Sequence, residues 1–282
     1  MKRIMISSIA FAGMVLPMVW FAPAKASLGA AVQATTQNAQ RGAAPAAAPA
    51  NTVPAKPTPR MADGHPDLSG VWWGGADVGG RGFRGGARGT PTVSYTSLYQ
   101  PWAAEKAKTL SDKDDPTLKC VPVAFGTLNV SLYSVGAVGQ IISTPKFVVM
   151  LQETFHGYQL IPTDGRPHRD DVPPAYRGDS VGHWEGDTFV VDTTNYTDNT
   201  WMFAEGRVSF HSDALHIVER YRRTDFNTLE IEAKIEDPKV LTGPWNAPKA
   251  TLTLAPFDMV MSLACTGVET QSLMDGAAKL KQ

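Results

Sequence analysis

Gly178-Asp-Ser-Val-Gly-His-Trp-Glu-Gly-Asp-Thr-Phe-Val-Val-Asp192 reads as a β-hairpin. Val181 to Trp184 forms the incoming strand, Glu185-Gly186-Asp187 the turn, and Thr188 to Thr194 the return. Glycine supplies the positive φ that a tight turn demands, and acidic side chains tolerate exposure beside it. Similar units flank it. Phe147 to Glu153 and Tyr158 to Pro162 make a second hairpin across Thr154 to Gly157, and Gln140 to Ser143 is a short strand before it.

The pair that follows fixes a register. Strand side chains alternate between faces, so Leu215, Ile217, Glu219 and Tyr221 share one side of Ala214 to Arg223. In Leu229 to Glu236 the apolar residues Leu229, Ile231, Ala233 and Ile235 alternate with Glu230, Glu232, Lys234 and Glu236. A loop over Thr224 to Thr228 matches the two apolar faces. It sets Arg222 against Glu230 and Arg220 against Glu232 outside, and Glu219 inside against Ala233. Thr251 to Leu254 and Met259 to Ala264 supply the last strands. Repeated hairpins with period-two alternation predict an all-β, mainly antiparallel fold: a calycin-like β-barrel or related β-sandwich, with one short helix. That helix is Tyr99 to Leu110, with Pro101 in the first turn and Trp102 expected to pack on the barrel.

Bulk properties divide the chain. Met1 to Ala26 has Lys2 and Arg3, an apolar run from Ile4 to Ala22 and the small-x-small site Ala24-Lys25-Ala26. These mark a cleaved secretory signal, the alternative being a retained anchor. Residues 27–60 hold 11 Ala and 5 Pro with no aromatic or acidic residue, a linker that cannot offset its ordering entropy. Residues 61–282 then form a single antiparallel β domain. That part carries 27 acidic and 20 basic residues, a net of −7. This argues against nucleic acid and against an anionic membrane surface as partners; a small-molecule ligand or substrate is the partner expected. Cys120 and Cys265, the only cysteines, read in an exported chain as a disulfide stabilising by about 5 kcal/mol; two buried thiols are the alternative.

Two short motifs carry less. Gly70-Val-Trp72 on an opening strand resembles the Gly-x-Trp of lipocalin-type barrels, where the Trp closes one end. Gly80-Arg-Gly-Phe-Arg-Gly85 matches G-x-G-x-x-G, but no helix opens on it, so it reads as a loop rather than a dinucleotide site. Arg81, Arg84 and Arg88 in that loop could close over an anionic ligand.

Glu219 is the foremost chemical candidate. A carboxylate on an apolar strand face must be paired or have a raised pKa, which suits a general acid or base. The competing reading is an internal ion pair with Arg166 or Arg207. In Thr163 to Asp171, Asp164, Arg166 and His168 could line a barrel mouth, Arg166 gripping an anion and His168 moving a proton; a self-bonded turn is the alternative. Tyr221, Trp184, His211 and Arg81 complete the expected substrate contacts. His168, Asp170, Asp171, His183, His211 and His216 offer metal-ligand types but match no metal spacing, so no metal and no cofactor are expected. No G-x-S-x-G supports a nucleophilic serine.

The ordered motifs Pro66-Asp-Leu-Ser-Gly-Val-Trp72, Asp164-Gly-Arg-Pro-His168, Gly178 to Thr193, Glu219-Arg-Tyr-Arg-Arg223 and Pro244-Trp245 together resemble a family of exported bacterial β-rich proteins. The resemblance spans about Pro66 to Cys265. It implies an exported β domain with the two-cysteine pair, and it transfers no catalytic residue. The expectation is a periplasmic or secreted enzyme doing lyase- or isomerase-type acid–base chemistry on an apolar or aromatic compound. A ligand-carrying barrel and an envelope interaction protein are the alternatives.

Overall fold

Alternation of buried and exposed side chains runs through nearly every strand of the computed structural model, which describes residues 56–74, 93–125, 138–153, 157–202 and 208–260. The elements are β1 (Gly70–Trp73), α1 (Pro101–Lys108), β2 (Gly139–Ser143), β3 (Phe147–Gln152), β4 (Tyr158–Pro162), β5 (Asp179–Glu185), β6 (Thr188–Thr194), β7 (His216–Arg223), β8 (Thr228–Glu236), β9 (Trp245–Asn246) and β10 (Ala250–Leu254), with three short 3-10 turns. All ladders between the strands are antiparallel, in the order β4-β3-β2-β1-β10-β8-β7-β6-β5, with β9 beside β8. No helix among the described residues is long and apolar enough to cross a membrane.

The sheet curls into a nearly closed, calycin-like barrel. Its two end strands, β4 and β5, meet without a ladder. Gln159 Nε2 donates to Ser180 Oγ at 3.1 Å, and Gly165 N donates to Gly182 O at 2.9 Å. Gly182 is required at this seam. A Cβ there would lie 2.4 Å from Phe189 Cζ and 3.0 Å from Ile161 Cγ2, both closer than packed atoms approach.

The hairpin that opened the sequence reading spans Asp179–Glu185 and Thr188–Thr194, with Glu185 opposite Thr188. Gly186 has φ 59°, and Asp187 is not in the positive-φ region. Positive φ at the first central residue alone is the type II′ pattern, whose twist suits a two-residue hairpin. The β7–β8 register is as read: Arg222 opposite Glu230, Arg220 opposite Glu232 and Glu219 opposite Ala233. The outer charges pair differently. Arg220 bonds Glu185 at 2.5 Å, while Glu230 and Glu232 take Lys249 at 2.7 and 3.3 Å. Backbone register follows the buried face; long surface side chains reach whichever partner is nearest.

One end of the barrel is latched by Arg223. Its guanidinium lies 5.0 Å from the Trp72 ring and donates to the carbonyls of Asp67 (2.6 Å), Ser69 (3.1 Å), Asp225 (3.3 Å) and Phe226 (2.5 Å). Trp72 itself, fully buried, donates Nε1–H to Leu68 O at 3.0 Å. Trp72 of Gly70-Val-Trp72 is thus buried beneath an arginine that spacing alone does not single out.

Three expectations are corrected. Trp102 is half exposed: its ring centroid lies 6.1 Å from that of Phe210 of the core and its indole N–H donates to Lys239 O at 3.1 Å, while the residue α1 buries fully is Ala103, whose small side chain lets the helix approach closely. Residues 56–60 belong to the domain rather than the linker. Thr58 Oγ1 donates to Arg223 O at 3.1 Å, and Arg60 pairs with Asp187 at 2.8 Å. Met259 and Val260 are irregular, and residues 261–264 of that expected strand lie outside the described residues. So do the signal segment, the rest of the linker, Arg81, Arg84, Arg88, Arg207 and Cys265. Cys120 is not a free thiol.

Candidate functional site

The inward positions of β7 are Ile217, Glu219, Tyr221 and Arg223, all buried. Around Glu219, the ladder partners are Val191 on β6 and Ala233 on β8. The carboxylate therefore stands in an aliphatic wall, 4 % exposed. Burial pushes its pKa up to about 7, the Tyr221 hydroxyl and the Arg177 charge holding it from rising further. Two residues along the same face, Tyr221 is fully buried, and burial and the carboxylate raise its phenol well above the ordinary value. Neither Glu219 Oε1 nor Tyr221 Oη completes a hydrogen bond. Tyr196, just past β6, is a third buried group, its pKa raised by burial and then by the Glu219 charge.

The cation of this cluster is Arg177. It precedes β5 in a segment held by Ala175 N to Asn195 O (3.1 Å) and Thr197 N to Ala175 O (3.0 Å). Gly178, at φ 63°, lets that segment pass β6 closely, since a Cβ would sit 2.3 Å from Thr194 O. Arg177 is 7 % exposed, and none of its three side-chain nitrogens has a hydrogen-bond partner. Burial lowers its pKa to about 10, the surrounding Tyr196, Glu219 and Tyr221 opposing that fall.

The expected convergence of Glu219 with Arg166 and His168 does not occur. Arg166 and Asp164 are exposed and paired to each other at 2.8 Å, the self-bonded turn, and this pairing holds the Asp164 carboxyl down to about 2. His168 sits on the outer face. Its Nδ1 faces Asp179 Oδ2 at 3.0 Å and its Nε2 faces Asp192 Oδ1 at 2.9 Å. Asp192 Oδ1 also takes His216 Nε2 at 3.0 Å, and His216 Nδ1 lies 3.5 Å from Glu236. Trp184 is stacked against His65 with centroids 4.7 Å apart and planes at 8°. His211 is 3 % exposed, donates Nδ1–H to Ser212 O at 2.9 Å, and has its ring 6.0 Å from that of Tyr196. Burial lowers its pKa, so it remains neutral.

The outer chain of carboxylates and imidazoles was missed by the sequence reading, though its last link was legible. Extending the β7–β8 register by steps of two from Arg220–Glu232 sets His216 against Glu236. Between two carboxylates, both His168 nitrogens must donate, which requires the imidazolium. Burial opposes this, but the hydrogen bonds from Asp192 and Asp179 prevail and the pKa is raised. A raised folded pKa means stability that is present below the ordinary histidine value and is lost as pH rises past it. His168→Gln will thus be less stable than the parent at pH 5.5, by at most about 1 kcal/mol for so exposed a group, and nearly equal at pH 9. Urea unfolding at both pH values checks this; equal losses at both would refute the imidazolium.

An open groove of about 820 Å3 lies beside this chain, lined by His216, Glu236, Asp237, Pro238, Gln100 and Thr242 among others. Among the described residues no group of three or more His, Cys, Asp or Glu side chains is arranged to hold a metal ion. No family model, no curated protein and no solved structure was found to match this chain.

Proposed function

We propose that the chain is an exported enzyme that moves a proton on a small apolar or aromatic compound inside the barrel, with Glu219 as the proton carrier. One observation carries this. In a wall of aliphatic side chains, Glu219 Oε1 and Tyr221 Oη are buried, and apart from their approach to each other neither meets a hydrogen-bond partner, a condition that costs about 1–3 kcal/mol per group and calls for an explanation. A ligand that accepts from the phenol and exchanges a proton with the carboxyl supplies it. A group titrating near 7 can both take and give at neutral pH.

The neighbours narrow the reaction class. The phenols of Tyr196 and Tyr221 are raised and Arg177 stays cationic, so Glu219 has no second proton carrier among the described residues facing it. A single carboxyl suits an isomerisation, in which one group removes a proton from one carbon and returns it to another on the same face. It suits a lyase, which commonly separates base and acid, less well. The leader sequence supports a periplasmic or secreted setting, and a Cys120–Cys265 bridge fits it. Nucleic acid and membrane remain outside the reading, as does any cofactor.

The test is proton exchange. The purified protein is held in D2O with a panel of aromatics and terpenoids bearing acidic C–H bonds, and signal loss is followed by proton NMR. Exchange on one compound, slowed 100-fold or more by Glu219→Gln, is the expected result. Exchange that Glu219→Gln leaves untouched removes the proposal. A compound retained but never exchanged replaces it with a carrier.

A further inference from the structure

The buried guanidinium and carboxylate of this cluster do not meet. Arg177 and Glu219 are each more than nine-tenths buried. An N···O approach within 4 Å would make them an ion pair, and none is formed. All three guanidinium nitrogens and Glu219 Oε1 are without partners. Two opposite charges in a low-dielectric interior attract strongly and are costly unpaired.

The chain packs closely around the guanidinium. Gly157, at the start of β4, stands against Arg177: a Cβ there would lie 2.6 Å from Nε and 3.0 Å from Cζ. Gln152, at the end of β3, borders the same point, its Oε1 2.9 Å from it. A guanidinium with its donors unspent can grip a carboxylate in two parallel hydrogen bonds along its N–H edge.

We infer that Arg177 is an anion anchor, so that the barrel interior takes a small carboxylate, which binds together with one proton that settles on Glu219. The charged and titratable groups that face Glu219 are Arg177 from the segment before β5, Tyr221 from β7 and Tyr196 beyond β6. With the ligand absent, Arg177 is the one positive charge opposing the Glu219 carboxylate among the described residues. A bound carboxylate takes that charge for itself and sets a like charge beside Glu219, which then holds its proton. Binding is the net reaction of protein, carboxylate and one proton, and the charge of the cluster is conserved. The inference rests on the interior being a ligand site, as proposed above, and not on turnover there.

The experiment is calorimetric titration of the purified protein with formate, acetate and benzoate, each against its amide, in two buffers of different ionisation enthalpy. One or more of the acids will bind, with its amide at least tenfold weaker. At pH 8 close to one proton is taken up, and affinity falls roughly tenfold per unit above pH 7. Glu219→Gln retains binding, takes up no proton and is flat from pH 7 to 8.5. Arg177→Met binds at least tenfold less.

Because Arg177→Met could disturb the fold, Gly157→Ala stands beside it. The three atoms nearest the added methyl belong to the Arg177 and Gln152 side chains, at a backbone angle alanine accepts, so it displaces the guanidinium while every charge remains. It too should bind at least tenfold less, with an unchanged melting temperature. An amide that binds as well as its acid, or full binding in folded Gly157→Ala, overturns the anchor, as does failure of all three acids. Binding as described with no proton exchange on any compound overturns the proposed catalysis and leaves the anchor standing.

Discussion

Glu219→Gln will stabilise the protein by about 3 kcal/mol at pH 8 and by only a few tenths at pH 4. The carboxyl titrates at about 7 in the folded chain, burial being the main cause, against 4.5 when unperturbed. A raised folded pKa gives stability that is complete below the unfolded value and lost as pH rises through the folded one. The loss runs from about pH 4.5 to pH 7, and the two-and-a-half-unit difference sets its size. Glutamine imitates the protonated carboxyl, so the variant lacks this slope while sharing every other titration. Urea unfolding of parent and variant at the two pH values isolates the effect as the difference of two differences. A variant that shifts stability equally at both would mean that the carboxylate is ionised and satisfied inside the barrel. A site that stabilises its protein when altered is one kept for use rather than for folding.

Arg223→Met will act in the opposite direction, lowering the unfolding free energy by about 4 kcal/mol and the melting temperature by roughly 10 °C. The guanidinium satisfies four carbonyls and covers the Trp72 ring. Methionine fills part of the volume and leaves those acceptors unbonded. Lysine keeps the charge but lacks the fork, and should recover less than half of the loss. Scanning calorimetry of the three proteins decides it; a methionine variant within 1 kcal/mol of the parent would show the latch to be decoration. The pairing of a destabilising arginine and a stabilising one in the same barrel, Arg177 and Arg223, makes the contrast direct. One has spent its donors on carbonyls and the other has spent none.

The part of the site that was legible in the sequence is the part made of regular strand. Glu219 could be placed inside because Leu215, Ile217 and Tyr221 on one strand and four alternating apolar residues on the next admit a single register. Arg177 could not. It lies between Pro173-Pro174 and Gly178, where no periodicity runs, and its inward course depends on positive φ at Gly178 and Asn195. Asp164, Arg166 and His168 were grouped with Glu219 because they follow a strand end and carry suitable chemistry. Composition does not say on which side of a barrel wall a loop lies. Trp102 shows the same limit from the other direction: a large aromatic on a short helix was assigned the packing that two small alanines perform, Ala103 buried and Ala104 packed against the core.

The place of β1 has a consequence for how the chain comes to be folded. The first strand lies in the middle of the sheet, flanked by β2 and by the last strand, β10, with Trp73 and Thr253 facing across 180 residues of sequence. Among the described residues β10 is also the only strand whose ladders join the β4-β3-β2-β1 half to the β8-β7-β6-β5 half. Until Ala250 to Leu254 has left the ribosome, each half carries an unpaired edge and neither can complete the other. Contacts this distant in sequence form slowly, because loop closure comes before any reward. A nascent chain of this topology leaves its two halves unjoined until Ala250 to Leu254 has been made, so the barrel closes in one late step rather than strand by strand.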